Sequence, residues 1–165
     1  MKKKNAFTLI ELLVVVAIIG ILAAVGVISF SRFTENAKIA VVKSNHITII
    51  KLLSAELKKC EIQGGSIKLK SNNWRGQVDP TVNNVNCARS STDTPAFFRA
   101  VQDHLNNEGF KNPYNTSEHA FYSTGPARNG IAVGTYSGRE ITITSTFTNS
   151  SGNLEQIIGK VIDER

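Results

Sequence analysis

The sequence predicts an α+β protein in which one long N-terminal helix packs on a small antiparallel sheet of about three or four strands. Residues 7–30 are almost entirely apolar, and residues 31–60 contain neither Gly nor Pro. After about residue 120, short segments with alternating apolar side chains are separated by glycine. With 165 residues, the chain has room for one core beside the apolar N-terminus.

The apolar N-terminal segment predicts a membrane-spanning helix. Lys2, Lys3 and Lys4 precede it, and this charge pattern holds an N-terminus in the cytoplasm. Seventeen uncharged residues run from Leu12 to Ile28, which is at the short end of what spans a bilayer. We therefore expect a single-pass segment over residues 7–30.

An ordinary secretory signal peptide is the alternative for this segment. Its apolar region would run from Leu12 to about Val25, and the small residues Ala24 and Gly26 would form the cleavage site. The mature chain would then begin at Val27. Glu11, a carboxylate just inside the apolar run, is a residue that such a signal does not need.

Residues 31–60 are expected to continue the same helix as an amphipathic half. Apolar residues recur every three or four positions, which is the spacing of one helical face. This face would pack on the sheet formed by the rest of the chain. The predicted stripe consists of Phe33, Ala37, Ala40, Ile47, Ile50, Leu53 and Leu57.

Residues 61–165 are predicted to form a globular head that begins where Gly64-Gly65 ends the helix. Ser66–Lys70 alternates and fits a short strand or an extended loop. Thr94 as N-cap and Pro95 at the first helical position open a short helix, which Gly109 ends.

Three later segments have the alternation of strands, and Ser137-Gly138 provides a tight turn between the last two. The apolar positions of the C-terminal residues 154–164 match helical spacing, but the choice between helix and strand is left open. The predicted strands are Ala120–Ser123, Ile131–Tyr136 and Glu140–Thr148.

The charge balance argues against nucleic acid as a direct specific ligand. The formal charge is +6, but residues 61–165 carry ten basic and ten acidic side chains. The excess therefore lies in the leader and the long helix. Lys68, Lys70 and Arg75 are the nearest candidates for a local basic cluster in the head.

The chain lacks the sequence motifs of an enzyme and of a cofactor or metal site, so we expect neither activity nor cofactor. His46, His104 and His119 form no recognisable ligand set, and His46 is expected at the surface or at an interface. Asp103 and Glu118 do not make a calcium cage.

The two cysteines, Cys60 and Cys87, are the expected disulfide of an exported chain, because an oxidising compartment favours their pairing. The bond would tie the end of the long helix to the connection that follows it.

The stretch from Ala6 to Ala24, AFTLIELLVVVAIIGILAA, resembles the N-terminus of bacterial type IV pilins and type II secretion pseudopilins. The resemblance implies a pilin-like fold and cleavage by a prepilin peptidase between Ala6 and Phe7, followed by N-methylation of Phe7. Residues 1–6 would be the removed leader. Ala6 stands where the family usually has Gly, and Ile28 stands where many members have Pro.

The resemblance also implies a function in which the chain polymerises into a helical filament through its N-terminal helix. Glu11 would pair with the Phe7 amine of another copy during assembly at an inner-membrane platform. The subunit would lie in the inner membrane before assembly and in a cell-surface pilus afterwards. Attachment, twitching motility and DNA uptake are the filament activities that the family offers.

Other functions stay open within and outside this family. A type II secretion pseudopilin, in a periplasmic pseudopilus, and a minor pilin share the same N-terminal segment. A membrane-anchored or secreted binding domain is the alternative from a different class.

Overall fold

The computed structural model describes residues 7–70, 83–88 and 93–165. The expected leader, including Ala6, lies outside these residues, as does most of the loop that contains Arg75. By contact density the chain divides into an N-terminal unit, Met1–Ala37, and a head unit, Lys38–Arg165.

The N-terminal unit is helical from Leu9 onward and presents its side chains to the outside. Helix α1 runs from Leu9 to Gln63 without interruption. Among the described residues it is the helix that is long and apolar enough to span a membrane. Its most apolar 18-residue window has a mean hydropathy of 3.0, and none of that window is buried. Such a surface requires lipid or other apolar helices around it.

The head half of α1 does bury a face, although the face differs from the predicted stripe. Leu53 and Leu57 are buried as expected, but Ile47 is half exposed. The helix carries apolar residues on two sides, and the sheet covers the side that includes a histidine. The buried residues are Val42, His46, Ile49, Leu53, Glu56, Leu57 and Cys60.

After α1, a small antiparallel hairpin and a second helix precede the main sheet. Strand β1, Ser66–Leu69, pairs with strand β2, Asn83–Asn86. The sequence left the first of these segments open between a strand and an extended loop, and it did not predict the second. Helix α2 runs from Asp93 to Asn107, so it begins two residues before Pro95, the predicted first helical residue.

The main sheet contains four strands in the order β3-β4-β5-β6. The last three form an antiparallel meander, whereas β3 pairs with β4 in parallel. The C-terminal segment that the sequence left open is therefore a strand. The bounds are β3 Phe121–Tyr122, β4 Ala132–Ser137, β5 Glu140–Thr148 and β6 Leu154–Ile162.

Both helices of the head unit pack on the same face of this sheet. A side chain at Gly134 would have its Cβ only 2.6 Å from the ring of Phe98 in α2. Likewise, a Cβ at Gly159 would lie 2.1 Å from Ile50 and 2.9 Å from His46 in α1. Glycine at these two positions thus lets the helices approach the sheet closely. The result is an α+β fold consistent with that of pilins.

One disulfide closes the connection between α1 and the hairpin. Cys60 and Cys87 are bonded, with their Cα atoms 5.2 Å apart, and both side chains are buried. A loop of 27 residues closed in this way removes roughly 3–4 kcal/mol of chain entropy from the unfolded state in the entropy model. The expected pairing is therefore present, and it closes the connection that contains β1 and β2.

Candidate functional site at the start of the N-terminal helix

The start of α1 is organised by a reciprocal set of hydrogen bonds between Thr8 and Glu11. The backbone N–H and the hydroxyl of Thr8 both donate to Glu11 Oε2, at 2.8 and 2.7 Å. The backbone N–H of Glu11 donates back to Thr8 Oγ1 at 3.2 Å. This is a capping box, in which Thr8 is the N-cap and Glu11 occupies the third helical position.

The capping box explains how a carboxylate can sit beside an apolar helix. A helix begins with N–H groups that lack intrahelical partners, and its N-terminus carries a partial positive charge. Glu11 supplies a negative charge there, and its carboxylate accepts two hydrogen bonds. The site is therefore electrostatically favourable before any other molecule binds to it.

Phe7 lies just before this cap. It is outside the helix, and 79% of its surface is exposed. The residue expected to carry the new N-terminus is thus accessible, and the first turn of α1 follows it directly. The other half of the expected cleavage site, Ala6, is not among the described residues.

Thr8 is a residue of this helix start that was not predicted from the sequence. The pattern Thr-x-x-Glu before an apolar run is itself a capping-box signature and could have identified the residue. The interpretation instead treated Glu11 alone, as an isolated charge in need of a partner.

The other candidate residues that the structure describes do not form a second site. Lys70 pairs with Glu108, and its backbone N–H donates to His104. Lys70 is therefore neutralised rather than part of a basic cluster. Among the residues that the structure describes, no three His, Cys, Asp or Glu side chains are placed to hold a metal ion.

His46 lies at an interface, which was one of the two expected positions. Its side chain is 4% exposed, and its Nδ1 is 2.8 Å from the Ser145 hydroxyl on β5. Burial lowers the pKa of His46 below its ordinary value. The histidine belongs to the contact between α1 and the sheet.

A family model for the prokaryotic N-terminal methylation motif matches residues 1–27. The chain therefore carries a prepilin cleavage signal. This signal is the one used by type IV pilins and pseudopilins. Searches of curated proteins and of solved structures find no match.

The prepilin signal and the capped helix start coincide in the chain. The matched residues include Phe7, Thr8, Glu11 and the whole apolar run up to Val27. The exposed apolar helix together with this signal fits anchoring in a membrane before assembly. In an ordinary secretory signal the same run would be discarded; a prepilin signal retains it.

Proposed function

We propose that this chain is a structural subunit of a type IV pilus, processed by a prepilin peptidase and assembled through its N-terminal helix. One observation carries the proposal: a prepilin signal lies on the exposed apolar part of a helix that begins at a Thr8–Glu11 capping box. The disulfide-closed head favours a pilin over a pseudopilin. The activity of the filament would be attachment, twitching motility or DNA uptake, and the subunit itself would have no catalytic role.

The proposed processing step is hydrolysis of the peptide bond between Ala6 and Phe7, followed by transfer of a methyl group from a sulfonium donor to the new amine, which releases a thioether and a proton. Hydrolysis leaves a carboxylate on Ala6 and converts the Phe7 nitrogen to an amine. Because Phe7 is exposed and non-helical in the structure, its side of the bond is open to a peptidase. The leader lysines leave with residues 1–6, and the apolar helix keeps its length.

Removal of the leader changes the electrostatics of the helix start. The new Phe7 amine adds a positive charge one turn before Glu11. In an assembled apolar core the effective dielectric is low, so an unpaired charge is costly and a charge pair is favoured over separated ions. Glu11 of an incoming subunit would neutralise the Phe7 amine of a subunit already docked, and this pairing would set the axial register.

Thr8 has a separate part in this scheme. It holds the Glu11 carboxylate at the helix start through two donated hydrogen bonds. The carboxylate is thereby stabilised in the unassembled subunit and is already positioned when the neighbouring amine arrives. Thr8 is a positioning residue, and the charge pair itself belongs to Glu11 and Phe7.

The test compares filament yield among variants of this start. Glu11→Val should be inserted and processed normally, but the yield of sheared filaments should fall at least tenfold, because the docked amine is left unpaired. Leu13→Val is the matched control, since it trims an apolar residue of the same run without touching a charge. Thr8→Val should give an intermediate yield and Thr8→Ser a yield close to the parent.

Filaments would be sheared from cells and counted by electron microscopy, with processing monitored by mass spectrometry. A Glu11→Val chain that polymerises as well as the parent would contradict the register role. A parent that is cleaved but never found in filaments would contradict the proposed function itself.

A further inference from the structure

Strand β6 is an edge strand with an exposed apolar face. It lies at the end of the sheet order, and β5 is its one partner strand within the described residues. Three large apolar side chains on it, Leu154, Ile158 and Ile162, are exposed by 67%, 59% and 54%. A long apolar edge of this kind is a template for pairing with another strand. The odd-numbered side chains instead face α1, as Gly159 does beside Ile50.

The free edge and the exposed face belong to the same residues. The Asp163 N–H donates to the Arg139 carbonyl, which continues the ladder between β6 and β5. In an antiparallel ladder, hydrogen bonding to one neighbour alternates along the strand. Odd-numbered residues of β6 therefore bond to β5, and the even-numbered backbone groups point to the open edge. These residues are Leu154, Gln156, Ile158, Lys160 and Ile162.

The pattern along β6 is complementary to itself. In an antiparallel pair of two β6 strands centred on Ile158, Leu154 of one copy lies opposite Ile162 of the other, and Ile158 lies opposite itself. Gln156 lies opposite Lys160, so no like charges face each other directly. Lys160 is also neutralised within its own copy by Glu140 at 2.9 Å. A shift of the centre by one residue would lose this matching of apolar side chains.

The edge is open to an incoming strand. A groove of about 310 Å³ separates α1 from the C-terminal end of β6 and is lined on the strand side by Lys160, Val161 and Ile162. Among the described residues, no other segment forms backbone hydrogen bonds along this edge. The exposed Lys58–Glu164 ion pair, at 3.7 Å, lies beyond the end of β6, so the even-numbered backbone groups of the strand itself are left unpaired by the described part of the head.

We infer that β6 pairs with β6 of a second copy of this chain, and that the pairing joins neighbouring filaments side by side. A nine-residue edge about 30 Å long and 10 Å deep buries on the order of 300 Å² per copy. A stable interface typically needs roughly 800 Å² per partner. A single pair is accordingly weak, and an array of copies supplies the multivalency that makes it effective.

The twofold symmetry of the β6 contact distinguishes it from the contacts between successive subunits of one filament. A twofold, self-complementary contact uses the same surface on both copies and closes after two of them. Successive subunits along a helical filament make head-to-tail contacts, which do not close. The β6 pair therefore links subunits of two filaments. This inference rests on the proposed function, because it takes the filament as the array.

Cross-linking of full-length protein in sheared filaments tests the pairing. Ile158→Cys places two thiols opposite each other at the proposed twofold centre, and the native cysteines are already bonded to each other. A short bismaleimide should convert a substantial share of the chains to a product of twice the mass. Thr135→Cys, exposed on β4 away from the edge, is the matched control and should give at least fivefold less product.

A second variant tests whether the β6 pairing holds filaments together side by side. Ile158→Lys puts two like charges opposite each other at the centre, so bundles seen by electron microscopy should separate into single filaments, with the sheared yield unchanged. Equal cross-linking at residues 158 and 135, a product of any other mass, or intact bundles with Ile158→Lys would each overturn the β6 pairing while the proposed function stands. If the parent chain forms no filaments at all, both the β6 pairing and the proposed function are overturned.

Discussion

The N-terminal unit and the head unit use the same kinds of apolar residue in opposite ways. Leu22 and Leu53 lie on the same helix, yet Leu22 is 66% exposed and Leu53 is fully buried. In the head, the sheet and α2 provide partner atoms on the side of α1 that carries Leu53. The described N-terminal unit is a helix alone. The difference therefore lies in which partners the chain itself supplies.

This contrast separates stability from assembly. Apolar contacts inside the head contribute to the free energy of unfolding of an individual chain. Apolar residues of the N-terminal unit can contribute only when lipid or other copies surround them. Substitutions in the two units should accordingly affect different measurements.

The largest expected effect on stability comes from truncating a buried leucine of α1. Leu53→Ala should lower the free energy of unfolding of the head by about 2–5 kcal/mol, since it removes apolar contacts and leaves a cavity. Leu22→Ala, the same change on the exposed part of the same helix, should alter it by less than about 0.5 kcal/mol. Hydrogen exchange of the β5 amides in detergent-solubilised full-length protein measures both values.

A Leu22→Ala variant whose β5 amides lose as much protection as those of Leu53→Ala would break the comparison. It would mean that the N-terminal unit contributes to the stability of the head. Ile47→Ala provides a second comparison within the head, because Ile47 is half exposed on α1. It should lower the free energy of unfolding much less than Leu53→Ala does.

A smaller effect is expected from pH, and it should also be confined to the head. Burial lowers the pKa of His46, so the unfolded chain binds a proton there at a higher pH than the folded chain does. Stability is therefore complete above about pH 6.5 and falls as the pH drops below that value. The slope from one histidine is at most about 1.4 kcal/mol per pH unit.

The pH effect is measured as the melting temperature between pH 7.5 and pH 5. His46→Gln, which can keep a hydrogen bond to Ser145, should reduce the loss on acidification. Some loss should remain, because burial and Lys111 also lower the pKa of His119. A His46→Gln chain with the full pH dependence of the parent would show that the buried histidine is not the titrating group.

The apolar run and the absence of Gly and Pro predicted the long helix, capping residues predicted α2, and alternation of apolar side chains predicted β3, β4 and β5. Alternation missed β2, whose sequence Asn-Asn-Val-Asn contains only Val85 as an apolar residue. That strand depends on its pairing with β1, which is a tertiary contact. It also left β6 open, because exposed Ile158 and Ile162 give the strand apolar residues on both faces.

The predicted stripe on α1 was confirmed at Leu53 and Leu57 but wrong at Phe33 and Ile47, for a related reason. Apolar residues occupy more than one side of this helix, and spacing alone favoured the side with Ile47. The sheet instead covers the side with Val42, His46 and Ile49. A histidine in a sequence rarely indicates a buried position. His46 can be buried because its ring nitrogen is hydrogen-bonded to the Ser145 hydroxyl.

The candidate site was predicted mainly from its resemblance to a known motif and less from the spacing and chemistry of its residues. Phe7 and Glu11 were named from that resemblance, and their processing and assembly roles stay predictions. Thr8 was available from the capping-box spacing and was not recognised. The sequence could not predict the open edge of β6, because that edge depends on the order of strands in the sheet.

The central claim is that the N-terminal segment is processed as a prepilin signal and retained. N-terminal sequencing and intact mass of the mature protein purified from the producing cells test it most directly. The account predicts a chain that begins with N-methylated Phe7 and still contains the whole apolar helix. A mature chain that begins at Val27 would show removal as an ordinary signal peptide, and it would contradict the account.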